Sequence, residues 1–382
     1  MKTTRTDQMH RRGFLVGSAA AAVSAAMPGE AASAPAGAEW RNKQSGMTYR
    51  RLGRTNYMVS TVGMGGDDIR PDNHDQVLYA MDLGLNYFDT SPRYGGGLSE
   101  KGYAEVLKAR GRENVFLSSK THHMSTRDWR SYMALFKSLP MSEQTKYRNR
   151  VRDEVERTGA IRPEYMGHYF RGQDGGVRQA VLWELLVKDF SEKIEEKKDY
   201  KAAIISDVEG SLKTMGTDYL DCLLCPHGAD VPYEAVGIPD IYEAFEVLKK
   251  QGKVRHLGFS AHSDPARILD AAIDSGVFSM GLVAYNFINH SFVDDALARA
   301  EKEDFGVVAM KASRVLQNPF QRSRLVKARV DAVNELMPGD DLTPFQKGFK
   351  WALARKRIKS VVMGISNMEM AKEDVPLALE SS

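Results

Sequence analysis

The chain has 382 residues, of which 42% are hydrophobic and 27% charged, with a formal net charge of +3. That composition is globular, excludes wholesale disorder, and suits one large α/β barrel or two ordinary domains. Lys2, Arg5, Arg11 and Arg12 against Asp7 and Glu30 put most of the charge excess before residue 39. The remainder of the chain is nearly neutral, which makes nucleic acid and bulk anionic membrane poor partners on charge grounds.

In chain order, the first 38 residues read as a targeting segment. RRGFL at 11–15 is a twin-arginine signature, with an apolar, Ala-rich, uncharged stretch after it over 16–27. The small-residue run at 36–38 predicts cleavage before Glu39 by an export machinery, and hence a periplasmic or otherwise exported protein. The apolar run is too short for a good membrane span, and no later segment approaches one. Two cysteines, Cys222 and Cys225, are few for an exported protein, so stability must come from the core.

A hairpin is expected over 47–60, turning at Gly53 and Arg54. Short apolar strands are then expected at 61–64, 87–89, 115–119, 220–225, 256–260, 282–286, 307–310 and 360–363. Helical patterns lie at 74–83, 100–109, 200–215, 241–251, 265–275, 293–303 and 344–356. This alternation predicts an α/β fold with a closed parallel (β/α)₈ barrel over 39–382. An open doubly wound sheet would want a glycine fingerprint after its first strand, which residues 63–68 do not supply. The interval of about 121–199 is too long for a structureless loop and predicts a helical insertion leaving the C-terminal rim. It carries Trp129, Tyr132, Phe136, Tyr165, Tyr169, Phe170 and Trp183, and it reads either as a solvated lid or as a wall of the substrate pocket.

Candidate chemistry gathers at successive strand ends: Asp89 and, five residues on, Tyr94; then Lys120; then His227. Together they make a proton-transfer set for a carbonyl oxygen. A phenol alone is too weak an acid, a nearby ammonium lowers its pKa, an aspartate holds the ammonium, and an imidazole donates to the substrate oxygen. Cys222 and Cys225 on one strand point to opposite faces, which reads as core rather than redox. No spacing among His122, His123, His227 and His262 recommends a metal. Lys311 and Arg314, past the seventh barrel strand, read either as contacts for cofactor phosphates or as loop charges.

DTSPRYG at 89–95 with GLSE at 97–100 resembles the aldo-keto reductases, as do GTDYLD at 216–221, KVRHLGFS at 253–260, YN at 285–286 and GVVAM at 306–310. The resemblance runs from Thr48 to about Leu379, apart from the insertion. It implies a TIM barrel and hydride transfer with NADP, with NAD the open alternative. In it Tyr94 is the general acid/base, Lys120 and Asp89 its tuners, and His227 the carbonyl-orienting group. Gly65, Asp89, Ser260, Lys311, Ser366 and Asp374 fall to the cofactor. The chain departs from the family at Ala261 and Leu282, which replace amide side chains, and at Ser366, where an arginine often meets the cofactor phosphate. Glu373-Asp374 also stands for the usual Glu-Asn, and Pro226 is inserted before His227. A C-terminal iron–sulfur motif found in some relatives is absent.

These readings combine into a periplasmic oxidoreductase that reduces a carbonyl or oxidises an alcohol with a tightly held nicotinamide cofactor, sugars or polyols being the favoured substrates. Twin-arginine export moves folded proteins, so the cofactor can be loaded before transport. The missing amide partners leave two alternatives open: a cofactor-independent acid–base enzyme, and a non-catalytic binding protein on the same barrel.

Overall fold

The computed structural model describes residues 37–122, 125–195, 197–339 and 341–379. The twin-arginine pair and the apolar stretch lie outside the described residues. The strands are β1 Glu39–Trp40, β2 Tyr49–Arg51, β3 Tyr57–Ser60, β4 Val62–Gly65, β5 Tyr87–Asp89, β6 Phe116–Lys120, β7 Leu220–Leu224, β8 Val254–Ala261, β9 Met280–Ala284, β10 Gly306–Met310 and β11 Ser360–Gly364. The helices are α1 Asp75–Asp82, α2 Leu98–Arg110, α3 Trp129–Ser138, α4 Met141–Thr158, α5 Pro163–Met166, α6 Gln173–Phe190 and α7 Tyr200–Met215. They continue with α8 Pro232–Val236, α9 Pro239–Lys250, α10 Pro265–Ser275, α11 His290–Lys302, α12 Lys327–Leu336, α13 Pro344–Leu353 and α14 Met368–Asp374.

Strands β4 to β11 close into one parallel barrel in sequence order, the expected (β/α)₈ architecture. Parallel strands buried on both faces need apolar side chains on both, and the barrel strands have them. Tyr87, Phe116, Cys222, Leu224, Met280, Leu282, Val308 and Met310 fill the interior together with Leu52, Tyr57 and Val59. Those last three come from the hairpin β2–β3, which therefore plugs the N-terminal end. At its turn, Gly53 has φ 49°, and a Cβ there would collide with the backbone of Gly306. Asp221, from GTDYLD, is fully buried below the interior layer and takes Arg41 at 2.9 Å and Arg112 at 2.7 Å. It also accepts the Leu117 N–H at 2.9 Å, so this motif ties three segments together rather than carrying chemistry.

Helix ends obey local chemistry. Asp199 caps α7 by accepting the Ala202 N–H at 2.7 Å, and Thr343 with Gln346 forms a reciprocal box at α13. The strand expected at 282–286 instead ends at Ala284. Asn286 leaves the sheet because its side chain accepts the Ile288 N–H at 3.0 Å while Asn289 accepts its own N–H at 2.9 Å. Helices α3 to α6 stand between β6 and α7. They keep a small apolar cluster of their own, and Tyr132, Tyr165, Tyr169 and Trp183 join the main core.

Candidate active site

Five strand ends build the site. Asp89 ends β5, and the register pairs it with Ser118. Lys120 lies two residues beyond Ser118, on the same face of β6, so its ammonium reaches back over the carboxylate. The Lys120 Nζ sits 2.6 Å and 2.5 Å from the two Asp89 oxygens and donates to the Thr90 carbonyl at 2.9 Å. Ser118 Oγ donates to the same carboxylate at 3.1 Å. Both members of the pair are buried. Burial works against the ammonium, but Asp89 and Tyr94 outweigh it, and the Lys120 pKa is raised.

Tyr94 opens a short 3₁₀ turn over Tyr94–Gly97, in which Gly95, Gly96 and Gly97 all have positive φ. Its ring lies 4.7 Å from Lys120 Nζ and 5.9 Å from the His227 ring, nearly perpendicular to it. GLSE braces this loop from behind, with Thr90 and Ser99 hydroxyls at 2.7 Å and Ser119 Oγ donating to Glu100 at 2.8 Å. One expectation is corrected here. Burial pushes the Tyr94 hydroxyl up, the Lys120 charge pulls it back only in part, and the net direction is upward. Tyr94 is therefore held as the neutral phenol, a proton donor, rather than poised toward phenolate.

His227 comes directly after the Cys225–Pro226 peptide, which is cis. Its Nδ1 lies 3.1 Å from the Thr121 carbonyl and 3.2 Å from Ser91 Oγ. A carbonyl only accepts, so Nδ1 carries a proton, and in the neutral ring Nε2 is an acceptor. Donation from Nε2 to a substrate oxygen, the role expected from the sequence, requires the imidazolium. The neutral ring instead accepts a hydroxyl.

The ends of β8 and β10 carry polar atoms without partners. Ser260 Oγ, His262 Nδ1 and both terminal nitrogens of Arg314 are buried and make no hydrogen bond to another described residue. Buried polar groups are normally paired, so these four atoms mark a place built for a polar ligand. Lys311 joins them just past β10 with φ 61°. Burial, with Arg314 and Arg322 adding repulsion, lowers its pKa to about 8. Gly65 ends β4 with Met363 O and Val362 packed 3.2 Å from where a Cβ would stand. Ser366 lies beyond β11, its carbonyl accepting Asn73 Nδ2 at 2.9 Å. Asp374 is set apart at the far end of α14, its carboxylate without a hydrogen bond or ion pair to another described residue, and burial pushes that carboxyl up to about 6.

His262 belongs to this site, although its sequence context does not single it out. The available signal is strand periodicity, because His262 stands two residues beyond Ser260 on the same face. Burial, then Lys311, His227 and Lys120, push its pKa well down and keep it neutral. Phe170, from the interval between α5 and α6, meets its ring edge-on at 5.8 Å. The same region also joins Tyr165 to Asp264 at 2.8 Å, Asn286 to Tyr169 at 2.8 Å, and Gln173 to the His262 carbonyl at 3.2 Å. Cys222 and Cys225 are buried on opposite faces of their strand, one in the interior and one in the outer core. Burial pushes the Cys225 thiol up to about 12.

A profile of the Aldo/keto reductase family matches residues 64–157 and 190–378. The chain belongs to that family. The break in the match, at 158–189, falls within the extra helices. As an aldo-keto reductase the chain is an NAD(P)-dependent oxidoreductase, and the orphaned Ser260, His262 and Arg314 atoms fit an amide- and phosphate-bearing cofactor. The chain is 24% identical over 355 residues to the oxidoreductase YqkF of Bacillus subtilis, covering 87% of this chain and 91% of that one. It is 25% identical over 354 residues to L-galactose dehydrogenase of Arabidopsis thaliana, covering 87% and 88%. In fold it resembles the aldo-keto reductase AKR11C1 from Bacillus halodurans in its holo form, with a TM-score of 0.57, 19% identity, and coverage of 88% and 92%. An aldo/keto reductase from Klebsiella pneumoniae in complex with NADP and acetate gives a TM-score of 0.52 at 18% identity, with coverage of 88% and 90%.

Proposed function

We propose that this aldo-keto reductase is exported through its twin-arginine segment and interconverts a carbonyl and an alcohol on a polyhydroxylated substrate, using tightly held NADP. The observation that carries the reading is the buried Asp89–Lys120 pair beside Tyr94 and His227, with Ser260 Oγ at the end of β8 and the Arg314 terminal nitrogens after β10 left without partners among the described residues. The sugar named for the Arabidopsis relative supports a polyhydroxylated substrate.

When bound, the dinucleotide supplies the hydride, or takes it up in the reverse direction. The chain's own residues handle the proton. Tyr94, kept neutral by burial, gives its phenolic proton to the carbonyl oxygen. The phenolate left behind faces Lys120, whose charge Asp89 and Thr90 hold in place. His227, held by Thr121 and Ser91, accepts the substrate hydroxyl at Nε2 in the oxidative direction and donates to the carbonyl oxygen only as the imidazolium. Ser260 and His262 face the cofactor where Ala261 and Leu282 offer no amide, and Lys311 with Arg314 meets its phosphates.

Absorbance at ~340 nm during mixing with aldehydes and either NADPH or NADH tests the reading. Wild-type protein oxidises the dinucleotide. Tyr94→Phe loses roughly 10²–10⁴-fold in kcat while its dinucleotide affinity stays nearly unchanged. A variant within a few-fold of wild type removes Tyr94 from the reaction. Protein that binds neither dinucleotide favours the cofactor-independent alternative.

A further inference from the structure

Arg93 stands next to Tyr94 and is tied to the His227 side of the site by a closed circuit of contacts. Its backbone N–H donates to Ser91 Oγ at 3.1 Å, and the same hydroxyl lies 3.2 Å from His227 Nδ1. Its guanidinium donates from Nη1 to His122 Nε2 at 2.9 Å. His122 adjoins Thr121, whose carbonyl takes the His227 Nδ1–H at 3.1 Å. The guanidinium is therefore anchored beside the imidazole that faces the reacting oxygen. A guanidinium only donates, so His122 accepts at Nε2 and its ring is neutral.

One of five N–H donors is used in this way. Arg93 is exposed, no carboxylate among the described residues pairs with it, and no other described side chain or carbonyl accepts from its fork. The remaining N–H groups form the planar fork that a carboxylate matches with two parallel hydrogen bonds. Lys120 is neutralised by Asp89, whereas Lys311 has Arg314 and Arg322 as neighbours with Asp67 alone opposing them. That second basic group comes after β10, on the opposite side of the ring from β6. The two cationic groups thus come from different strand ends, Arg93 after β5 and Lys311 after β10. If the β10 side takes the cofactor phosphates, the Arg93 side is left for the substrate.

We infer that Arg93, steadied by His122, docks a carboxylate carried by the substrate, so that the enzyme acts on oxo or hydroxy acids such as sugar acids in preference to neutral carbonyl compounds. This rests on the oxidoreductase reading, and its test is separable from it.

Succinic semialdehyde and butanal share a four-carbon aldehyde skeleton and differ in the terminal carboxylate. Wild-type protein is expected to favour the acid in kcat/KM by roughly 10- to 100-fold, the range of a charge-assisted hydrogen-bonded pair. In Arg93→Gln that ratio falls toward unity, and Arg93→Lys, which keeps the charge without the fork, recovers part of it. Calorimetric titration of the NADPH-loaded protein with succinate, against succinamide, reads the same contact without turnover. Selective binding of succinate that weakens about tenfold in Arg93→Gln supports the docking role even where no aldehyde is turned over. In that case the oxidoreductase reading alone fails. A wild-type ratio near unity, a ratio that Arg93→Gln does not change, or equal binding of succinate and succinamide overturns the inference.

Discussion

Tyr94, Lys120 and Lys311 lie in one basic, partly dry rim, yet burial moves them differently because their partners differ. Lys120 has Asp89 in contact and stays charged; Lys311 faces Arg314 and Arg322 and drops to about 8. A lysine with a lowered pKa is charged below that value and neutral above it. Dinucleotide affinity, read by fluorescence titration, is therefore expected to weaken as pH rises through about 8, by up to roughly tenfold for one lost charge-assisted contact. Lys311→Met should be weaker at neutral pH and nearly flat across that range. A flat wild-type profile separates Lys311 from the phosphates. Asp89, Tyr94, Lys120 and His227 were legible in the sequence because each sits at or just past a strand end. The direction of the Tyr94 shift was not, since it depends on how much water the folded loop excludes. His262 was hidden by Ala261, which breaks the expected Ser–Asn pair and drew attention to a loss rather than to the next residue on the same face.

Helices α3 to α6 are held to the rim by contacts between residues far apart in sequence. Tyr165 OH donates to buried Asp264 at 2.8 Å and accepts the Ala266 N–H at 2.9 Å. Gln173 reaches Ser263 Oγ at 3.2 Å, and Arg127 pairs with Glu234 at 2.7 Å. Tyr165→Phe leaves the ring in place but takes a donor from a buried carboxylate. It should cost about 1–3 kcal/mol, read as a lower urea midpoint at unchanged slope. An unchanged midpoint means that this contact does not hold the segment. The helical nature of the 121–199 interval was legible from its length, but its docking partners were not, because Asp264 and Asn286 are chosen by tertiary geometry. The short α8 and α14 and the polar α12 were missed for a different reason. Two are too brief to show a period, and the third carries little apolar contrast along its sequence.

The whole molecule places its chemistry at one end of the barrel and its plug at the other. Leu52, Tyr57 and Val59 close the bottom, while the loops after β5, β6, β7, β8 and β10 carry the candidate site. The barrel was legible because strands buried on both faces leave short apolar runs at regular intervals. The export reading makes its own demand: replacing Arg11 and Arg12 together by Lys should leave the precursor in the cytoplasm on fractionation. Normal export of that double variant refutes the twin-arginine route. The central claim is that hydride moves directly between a nicotinamide and a carbonyl carbon while Tyr94 handles the proton. Its most direct test is a single turnover with dinucleotide deuterated at the transferable C4 position, and then mass spectrometry of the alcohol formed. The account predicts one deuterium on the former carbonyl carbon and none from heavy-water solvent at that carbon. Product whose new C–H hydrogen comes from solvent, or no transfer from the labelled dinucleotide to any carbonyl substrate, contradicts it.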